Sequence, residues 1–384
     1  MGLPEGRAAR TIWKTPAELI RQLAPEHPVM VFDADRLAAT ARRFLAGFPG
    51  MVTYAVKANP DPAILRVLVA EGIRGFDVAS PAEIELIGRL VPGAARHYHN
   101  PVRSGAEIAH AVGAGVQSWS VDSFSELDKL LAQLPAGSEI ASRFKLHVAG
   151  AAYDFGAKFG AAPDQAALLL RRVAAAGHRP SLTFHPGTQC RDPLAWESYI
   201  ATAARIAAEA GVDLHRLNVG GGFPSHRVAA LPPDLEAIFA RIDRAAAAAF
   251  GPQRPALVCE PGRGICADAF ALITRVKALR DGQAVFLNDG IYGGLTELPQ
   301  IGNLDRIEVL DPQGRPRRGA PLPRPVFGPT CDSLDRLPGE LALPGDLAEN
   351  DYVIFHGAGA YSTVTNTRFN GFGQMAHLSV KAIS

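Results

Sequence analysis

Lys57 is the side chain of this 384-residue chain whose position first suggests chemistry. It lies in the apolar run Tyr54–Asn59, which has the composition of a β-strand. A buried, unpaired ammonium is costly and its pKa falls, which suits a lysine to Schiff-base formation with a carbonyl compound. The alternative is that Lys57 reaches the rim of the fold and pairs with a carboxylate.

Two glycine turns could bind a phosphate group. The segment 217–224 carries Gly220, Gly221 and Gly222 directly after a predicted strand, and the segment 259–264 follows another. Bare backbone N–H groups in such turns bind phosphate, and in (β/α)8 barrels this happens at the last two strands. One glycine triplet is weak evidence, but two turns in this order are more specific.

Glu260 and His185 could contact an aromatic cofactor. Glu260 is either an exposed loop acid or the carboxylate that keeps a pyridine nitrogen protonated. A lone histidine such as His185 is more often structural, but it could stack on the ring. Together with Lys57 they predict a site for pyridoxal 5′-phosphate (PLP).

These residues lie near the carboxyl ends of eight short β-type runs separated by helical segments. The pattern predicts a TIM-type (β/α)8 barrel, whose active sites lie at that end of the strands; an open doubly wound sheet is the alternative. The predicted runs are Val52–Asn59, Gly75–Ser80, His97–Asn100, Ser118–Asp122, Ile140–Leu146, Leu182–Gly187, Leu217–Gly222 and Leu257–Gly262.

The texture changes after about Ala267, where strand-like runs alternate with Pro- and Gly-rich stretches. We therefore predict two domains, a PLP-binding barrel over 30–265 and an all-β domain from 1–29 plus 266–384. The predicted strands of the second domain are Phe270–Ala278, Ala284–Asn288, Ile307–Leu310 and Tyr352–His356.

Composition limits the possible partners. Basic and acidic residues number 39 and 38, which does not favour a nucleic-acid or membrane binder and suggests a small-molecule ligand. The four cysteines have neither metal-site nor disulfide-framework spacing, so we expect no metal and a reducing cytoplasm. The amino terminus has no apolar stretch typical of a signal peptide.

Seven segments in this order resemble the fold-type III PLP decarboxylases of basic amino acids, the ornithine/lysine/arginine/diaminopimelate group, and most closely its ornithine decarboxylases. The resemblance implies that Lys57 holds PLP as a Schiff base, that His185 stacks on its ring and that Glu260 pairs with the pyridinium. Asp77 and Glu83 would support the lysine. Phosphate contacts would come from Thr188, Gly220, Gly221, Gly222, Gly262, Arg263 and Tyr361. The matching segments are Tyr54–Asn59, Gly75–Ile84, Phe184–Gln189, Gly220–Pro224, Glu260–Arg263, Gly328–Asp335 and Gly359–Tyr361.

The same resemblance implies a homodimer with shared active sites. Cys331 would reach the partner's site and protonate the carbanion carbon after CO₂ leaves, and Lys158 would pair with Asp335 across the interface. From the residues alone, Cys331 is a buried structural thiol or an exposed reactive one, and Lys158 and Asp335 are solvated charges.

The resemblance defines the substrate less closely than it defines the cofactor. Asp332 beside Cys331 resembles ornithine and lysine decarboxylases and could bind a distal ammonium. The family's second acid is replaced by Ile301 on a gap-free count, unless Glu297 substitutes for it. The best prediction is L-ornithine to putrescine, in polyamine biosynthesis; lysine or another diamino acid is the alternative.

Three other classes compete. A PLP racemase would leave the Cys331–Asp332 pair unexplained. A catalytically silent, antizyme-inhibitor-like regulator would not need Lys57, Glu260 and the glycine turn. A flavin or sugar-phosphate barrel would give Lys57 and Cys331 no role.

Overall fold

The computed structural model describes residues 11–146 and 158–383. Contacts between Cα atoms divide the chain into two units. The barrel unit comprises Ala41–Pro224 and Pro233–Gly264, and the sheet unit comprises the residues up to Thr40, Ser225–Pro232 and Ile265 onward. The predicted barrel began at residue 30, whereas Val29–Asp33 pairs with two strands of the sheet unit.

The strands and helices alternate through the barrel unit and then give way to strands. The strands are β1 (Ile12–Trp13), β2 (Val29–Asp33), β3 (Met51–Ala55), β4 (Gly75–Val78), β5 (Ala95–Tyr98), β6 (Ser118–Val121), β7 (Glu139–Arg143), β8 (Arg179–Thr183), β9 (Arg216–Asn218), β10 (Ala256–Cys259), β11 (Phe270–Arg280), β12 (Ala284–Leu287), β13 (Ile307–Leu310), β14 (Pro321–Arg324), β15 (Val326–Phe327), β16 (Leu341–Pro344), β17 (Tyr352–His356) and β18 (Ala376–Val380). The α-helices are α1 (Pro16–Leu23), α2 (Ala34–Gly47), α3 (Pro62–Ala70), α4 (Pro81–Leu90), α5 (Gly105–Gly113), α6 (Phe124–Leu131), α7 (Pro163–Ala175), α8 (Pro193–Ala210), α9 (Leu235–Phe250), α10 (Arg263–Cys266) and α11 (Leu298–Ile301).

The eight predicted runs form a closed parallel barrel in the order β10-β3-β4-β5-β6-β7-β8-β9, so the TIM-type fold is confirmed and the open sheet is wrong. Closure is explicit, because Val258 and Cys259 of β10 pair with Met51 and Val52 of β3. Buried apolar side chains such as Tyr54, Phe76 and Ile140 recur in these strands because barrel strands are covered by helices outside and by packed side chains inside.

Local sequence sets where the barrel helices start. Proline occupies the first turn of α3, α4, α7 and α8, where its missing N–H costs no hydrogen bond. Side-chain oxygens cap several of these starts; Ser104 and Glu107 form a complete capping box at α5. Each cap fixes the residue at which the helix starts and therefore limits the length of the loop that follows the preceding strand.

The sheet unit confirms the predicted second domain. Its sheet has eight strands, with the path β1-β18-β2-β11-β12-β15; β17 pairs with β11, and β13 pairs with β17. The strands β14 and β16 form a separate pair. Trp13, Leu19 and Ile20 pack into its core with strand residues such as Ile273 and Ile354. In the described part of the chain, no helix combines the length and the apolar character needed to cross a bilayer.

Candidate active site

Lys57 does not lie inside a strand. β3 ends at Ala55, and Val56–Ala58 form a single 3-10 turn closed by the Asn59 N–H on the Val56 carbonyl, 3.1 Å. The Lys57 side chain is 49% exposed, so the prediction of a buried strand lysine is wrong. The rim alternative describes it better, since its Nζ lies 3.9 Å from Asp77 Oδ2.

Asp77, in β4, is the buried partner of Lys57; only 4% of its side chain is exposed. Its Oδ1 has no hydrogen-bond partner among the described residues. Burial raises the pKa of Asp77 to about 7, and the Glu260 carboxylate adds to this, while Lys57 and His99 act against it. A carboxylic acid whose pKa is near 7 can exchange a proton with an amine beside it.

This burial predicts a pH-dependent stability effect for Asp77→Asn in the cofactor-free protein. The folded-state pKa is raised, so as pH rises from about 4 to about 7 the unfolded state releases a proton that the folded state keeps, and stability falls. Asparagine removes this loss, so its stabilising effect should be larger at pH 8 than at pH 5 by about 2.7 kcal/mol, from two pH units at about 1.36 kcal/mol each. Urea unfolding of both proteins at the two pH values measures it; an equal effect at both would contradict the assignment.

Glu83 lies one turn into α4 and is tied to the loop after β4. Its carboxylate accepts the Ala79 N–H at 2.7 Å, and Ser80 Oγ accepts the Glu83 N–H at 3.4 Å. Burial raises the pKa of Glu83, opposed by the Ala79 N–H and by Lys57. The predicted support of the lysine region by Glu83 is therefore electrostatic and acts through this loop.

Glu260 follows β10 and is almost buried, with 10% of its side chain exposed. Its Oε1 is hydrogen-bonded to His99 Nδ1 and to Asn218 Nδ2. Burial alone would raise the pKa of Glu260, but the charge and hydrogen bond of His99, with Lys57 and Asn218, lower it to about 2. The site therefore holds an anionic carboxylate, as a protonated pyridine would require.

His99 and Asn218 were missed by the sequence reasoning. Asn218 ends β9, and its Oδ1 accepts the Gly220 N–H at 2.9 Å, which turns Nδ2 toward Glu260. His99 directly follows β5, and its Nε2 lies 2.9 Å from Ser118 Oγ. His97 and His99, two positions apart, share one face of β5, and that spacing was a usable signal for an inward-facing pair.

Asp77, His99 and Glu260 could also be read as a metal site, because one ligand-type atom from each lies within 4.8 Å of the others. The position of the Asn218 side-chain amide is unfavourable for a cation at this cluster. Its Nδ2, a donor without a lone pair, points at the same Glu260 oxygen and lies 2.9 Å from His99 Nδ1. Hydrogen bonding therefore accounts for the cluster better than a metal ion does.

His185 follows β8 and is neutral. Its Nδ1 accepts the Gly187 N–H at 3.1 Å, so the ring proton is on Nε2. Burial lowers the pKa of His185 to about 3, and the charges of Arg143 and Lys57 add to this. Arg143, at the end of β7, is another residue that sequence reasoning missed; burial lowers its pKa, opposed chiefly by Glu260.

The glycine turn after β9 has no room for side chains. A Cβ on Gly220 would lie 2.0 Å from the Phe184 carbonyl oxygen, and one on Gly222 would lie 2.3 Å from that of Gly187; both residues have positive φ, +70° and +82°. Within the described residues, the N–H groups of Gly221 and Gly222 have no protein acceptor. Such donors fit an external anion.

The four other predicted phosphate ligands lie in different parts of the chain. Thr188 follows β8, and Gly262 lies in the turn before α10, where its Cβ would come within 2.7 Å of Ala58 Cβ. Arg263 begins α10 and is 6% exposed. These three belong to the barrel unit, whereas Tyr361 belongs to the sheet unit, at a positive φ of 66°. Three of these four candidates therefore belong to the same unit as the glycine turn.

The segment 328–335 of the sheet unit carries Cys331, the one exposed cysteine of the chain. Its Sγ lies 3.2 Å from Asn370 Oδ1, and its backbone N–H donates to the same oxygen at 3.1 Å. A buried structural thiol, the alternative at this position, is therefore wrong. An exposed thiol on a polar segment is available to a ligand.

Asp332 is held by Tyr292, whose hydroxyl donates to Asp332 Oδ2 at 2.6 Å. The Leu334 N–H and the Tyr292 hydroxyl lower the pKa of Asp332, so it is anionic. Glu297 and Ile301 lie at the start and end of α11, and both are partly buried.

Asp335 is buried, with 2% exposed, and accepts from the Thr330 hydroxyl at 2.7 Å and from the N–H groups of Thr330 and Ile291 at 3.0 Å each. The alternative that it is a solvated charge is therefore wrong. Lys158 is exposed, with its Nζ 5.0 Å from the centre of the Phe159 ring. Their pairing across a dimer stays a prediction.

Comparison with known proteins identifies the family. Residues 34–267 match the model of the pyridoxal-binding domain of pyridoxal-dependent decarboxylases. The lysine/ornithine decarboxylase of Selenomonas ruminantium is 33% identical over 84% of this chain and 81% of its own. The structure of the lysine/ornithine decarboxylase of Vibrio vulnificus with cadaverine superposes with a TM-score of 0.81, at 29% identity, over 95% and 97% of the two chains. That of the arginine decarboxylase of Paramecium bursaria Chlorella virus, with agmatine, gives 0.82 at 26%, over 92% and 97%.

These relatives act on different basic amino acids, so they define the reaction class more closely than the substrate. The predicted family, the pyridoxal dependence and the enzyme class are confirmed. The lysine after the first barrel strand, the anionic glutamate after the last and the glycine turn between them now have a common explanation, and the chain belongs to the PLP-dependent decarboxylases of basic amino acids.

Proposed function

We propose that this enzyme decarboxylates L-ornithine to putrescine and CO₂, a step of polyamine biosynthesis. The observation that carries the choice of a diamino acid is the Tyr292–Asp332 hydrogen bond of 2.6 Å, which holds an anionic carboxylate on the segment next to Cys331. A fixed carboxylate is the natural partner of a substrate's distal ammonium.

When bound, PLP supplies an aldehyde for covalent attachment and a ring that accepts the electrons released as the α-carboxyl group leaves. Lys57 supplies the amine for attachment, with Asp77 at 3.9 Å to take up or return its proton. Glu260 offers a permanent negative charge to the ring nitrogen. His185 contributes an uncharged ring above the Gly221 turn.

The phosphate group is assigned to the turn Gly220–Gly222, with Thr188, Gly262, Arg263 and Tyr361 as further donors. The support is the steric emptiness of the turn and the unsatisfied N–H groups of Gly221 and Gly222 among the described residues. Glycine lets the backbone approach the anion closely, and the positive φ of Gly220 and Gly222 turns successive N–H groups toward one point.

Asp332 binds the distal ammonium of the substrate in this proposal. Glu297 is the candidate second carboxylate, because Ile301, one helical turn later in α11, offers no charge. A binding site with one firmly placed carboxylate selects for a terminal ammonium more than for the length of the substrate side chain. Lysine or another diamino acid is therefore the alternative substrate.

The active form in this proposal is a homodimer in which Cys331 and Asp332 of one subunit complete the barrel site of its partner. The exposure of Cys331 and of Lys158 is consistent with surfaces that a partner covers. The pair between Lys158 and the partner's Asp335 would join them, since the carboxylate of Asp335 is already oriented by Thr330 and Ile291.

CO₂ release by the PLP-loaded enzyme with L-ornithine, L-lysine, L-arginine, meso-diaminopimelate and 2,4-diaminobutyrate, each alone, tests the proposal. We expect the highest kcat/KM with ornithine and, in Asp332→Asn, a KM for ornithine higher by roughly 10- to 100-fold, the usual cost of a hydrogen bond to a charged group. Asp281→Asn, an exposed turn acid of the sheet unit, is the matched control.

The other outcomes discriminate among the alternatives. A preference for lysine or another member of the panel would replace ornithine as the substrate and keep the reaction. Racemised amino acid without CO₂ would establish the racemase reaction. Failure to bind PLP would point to the silent, antizyme-inhibitor-like regulator. An unchanged KM in Asp332→Asn would exclude Asp332 from the ammonium site.

A further inference from the structure

His99 contacts the carboxylate on which the proposed electron sink depends, yet no part of the reaction described so far uses it. Its side chain is 6% exposed, and Nδ1 is hydrogen-bonded to Glu260 Oε1. Because a carboxylate only accepts, Nδ1 carries the proton. The other ring nitrogen, Nε2, lies 2.9 Å from the hydroxyl of Ser118, which is itself buried at 1% exposure.

The contacts come from four barrel strands and form one connected chain. Ser118 of β6 orients the His99 ring, and His99 orients Glu260, which follows β10. Asn218 of β9 holds the same Glu260 oxygen from another direction and is fixed by the Gly220 N–H. A histidine held at one nitrogen and donating from the other to a buried acid is oriented as in catalytic dyads.

We propose that His99 is a positioning residue for the cofactor, which holds Glu260 anionic and oriented to pair with the pyridine nitrogen when PLP is bound. The inference rests on the proposed function, because the contact of Glu260 with that nitrogen is part of it. Without His99, Glu260 would be a nearly buried carboxylate close to Asp77, another acid, and both burial and like charge favour protonating it. A protonated Glu260 would no longer hold the pyridine proton.

Several charged groups face His99 from the surrounding strands and set its own charge. Burial lowers the pKa of His99, but Glu260, with smaller effects of Asp77 and Glu139, raises it overall. His97, stacked on His99 with ring centres 5.5 Å apart, opposes protonation when charged, but burial lowers its own pKa to about 4. Arg216, which contacts His97 Nε2 at 3.4 Å, is paired with Glu139 at 3.3 Å. The Glu260 carboxylate therefore favours the protonated form of His99.

The protonation of the cofactor ring reports this role without any substrate. We would load wild type, His99→Ala and His99→Asn with PLP labelled with ¹⁵N in the ring and record its chemical shift from pH 6 to pH 9. Wild type should show a pyridinium shift throughout, and His99→Ala should titrate toward the neutral pyridine shift. His99→Asn should lie closer to wild type, because its Nδ2–H replaces the donor at Nδ1.

Kinetics give the second readout. In His99→Ala we expect kcat to fall roughly 10- to 100-fold, the usual cost of removing a hydrogen bond to a charged group, while KM changes little. His97→Ala is the matched control, since His97 lies two positions earlier in sequence, on β5, and its Nε2 contacts Arg216 at 3.4 Å. Wild-type-like behaviour of His97→Ala separates positioning from general packing.

An unchanged ¹⁵N shift in His99→Ala, or an equal change in His97→Ala, would overturn the proposal. Failure of the proposed function has a different signature. Wild-type protein that binds PLP as a pyridinium but releases no CO₂ from basic amino acids would refute the proposed reaction while leaving the shift comparison of the His99 variants intact.

Discussion

Replacing Lys57 by alanine is expected to lower the decarboxylation rate by roughly 10⁴-fold, the size of loss seen when a nucleophile or its partner is removed. The fold should persist, because the side chain is 49% exposed and its removal leaves no buried cavity. Borohydride treatment of the wild-type holoenzyme should fix the cofactor to the peptide that contains Lys57, and mass spectrometry locates it.

Two variants sharpen this prediction. Lys57→Arg keeps the positive charge beside Asp77, but a guanidinium stays protonated and cannot make the covalent link. Its rate should therefore be as low as that of Lys57→Ala. Lys129→Ala, on the outer helix α6 where the lysine pairs with Glu126, is the matched control and should retain activity. Full activity of Lys57→Arg, or a label on another lysine, would contradict the assignment.

The barrel could be predicted from sequence because eight short β-type runs, bounded by glycine, proline or polar residues, alternate with helical segments. What the pattern could not give was the point where each strand stops pairing. In the run Val52–Asn59 apolar side chains continue past Ala55 to Val56 and Ala58, yet ladder pairing ends at Ala55 and a 3-10 turn follows. That difference moves Lys57 from a buried strand position to the exposed rim.

In the sheet unit, the sequence predicted strands but not which strands pair with each other. Four of its strands were predicted from local pattern, but β2 and β18 pair with each other although they lie at opposite ends of the chain. No local signal assigns Val29–Asp33 to the sheet instead of to the barrel that follows it. The boundary of the first unit therefore depends on long-range hydrogen bonds that a single sequence does not reveal.

Within the site, residues in motifs could be predicted from sequence, whereas the residues that contact them could not. Lys57, His185, Glu260 and the glycine turn stand in recognisable segments. His99 and Asn218 stand in none, and they meet Glu260 from strands that are 161 and 42 residues away in sequence. The charge state of Glu260 is decided by these contacts, so the motif predicted the carboxylate but not what keeps it ionised.

Cys331→Ala is expected to lower CO₂ release by roughly 10²- to 10⁴-fold, the range for loss of a positioned general acid. PLP binding should be unchanged, because Cys331 is not among the residues proposed to hold the cofactor, and its side chain is exposed. Cys331→Ser keeps a proton donor with a higher pKa and should fall between alanine and wild type. Cofactor absorbance and single-turnover CO₂ release separate binding from catalysis.

The same variant tests whether sites are shared between subunits. Lys57→Ala and Cys331→Ala are each nearly inactive, but if each site combines Lys57 of one subunit with Cys331 of the other, a mixed dimer contains one intact site. Equal mixing followed by subunit exchange should then recover about a quarter of wild-type activity, because half of the dimers are mixed and each has one of two sites intact. If Lys57 and Cys331 acted within one subunit, a mixed dimer would have no intact site, and absence of recovery despite demonstrated exchange would assign Cys331 to its own subunit's barrel.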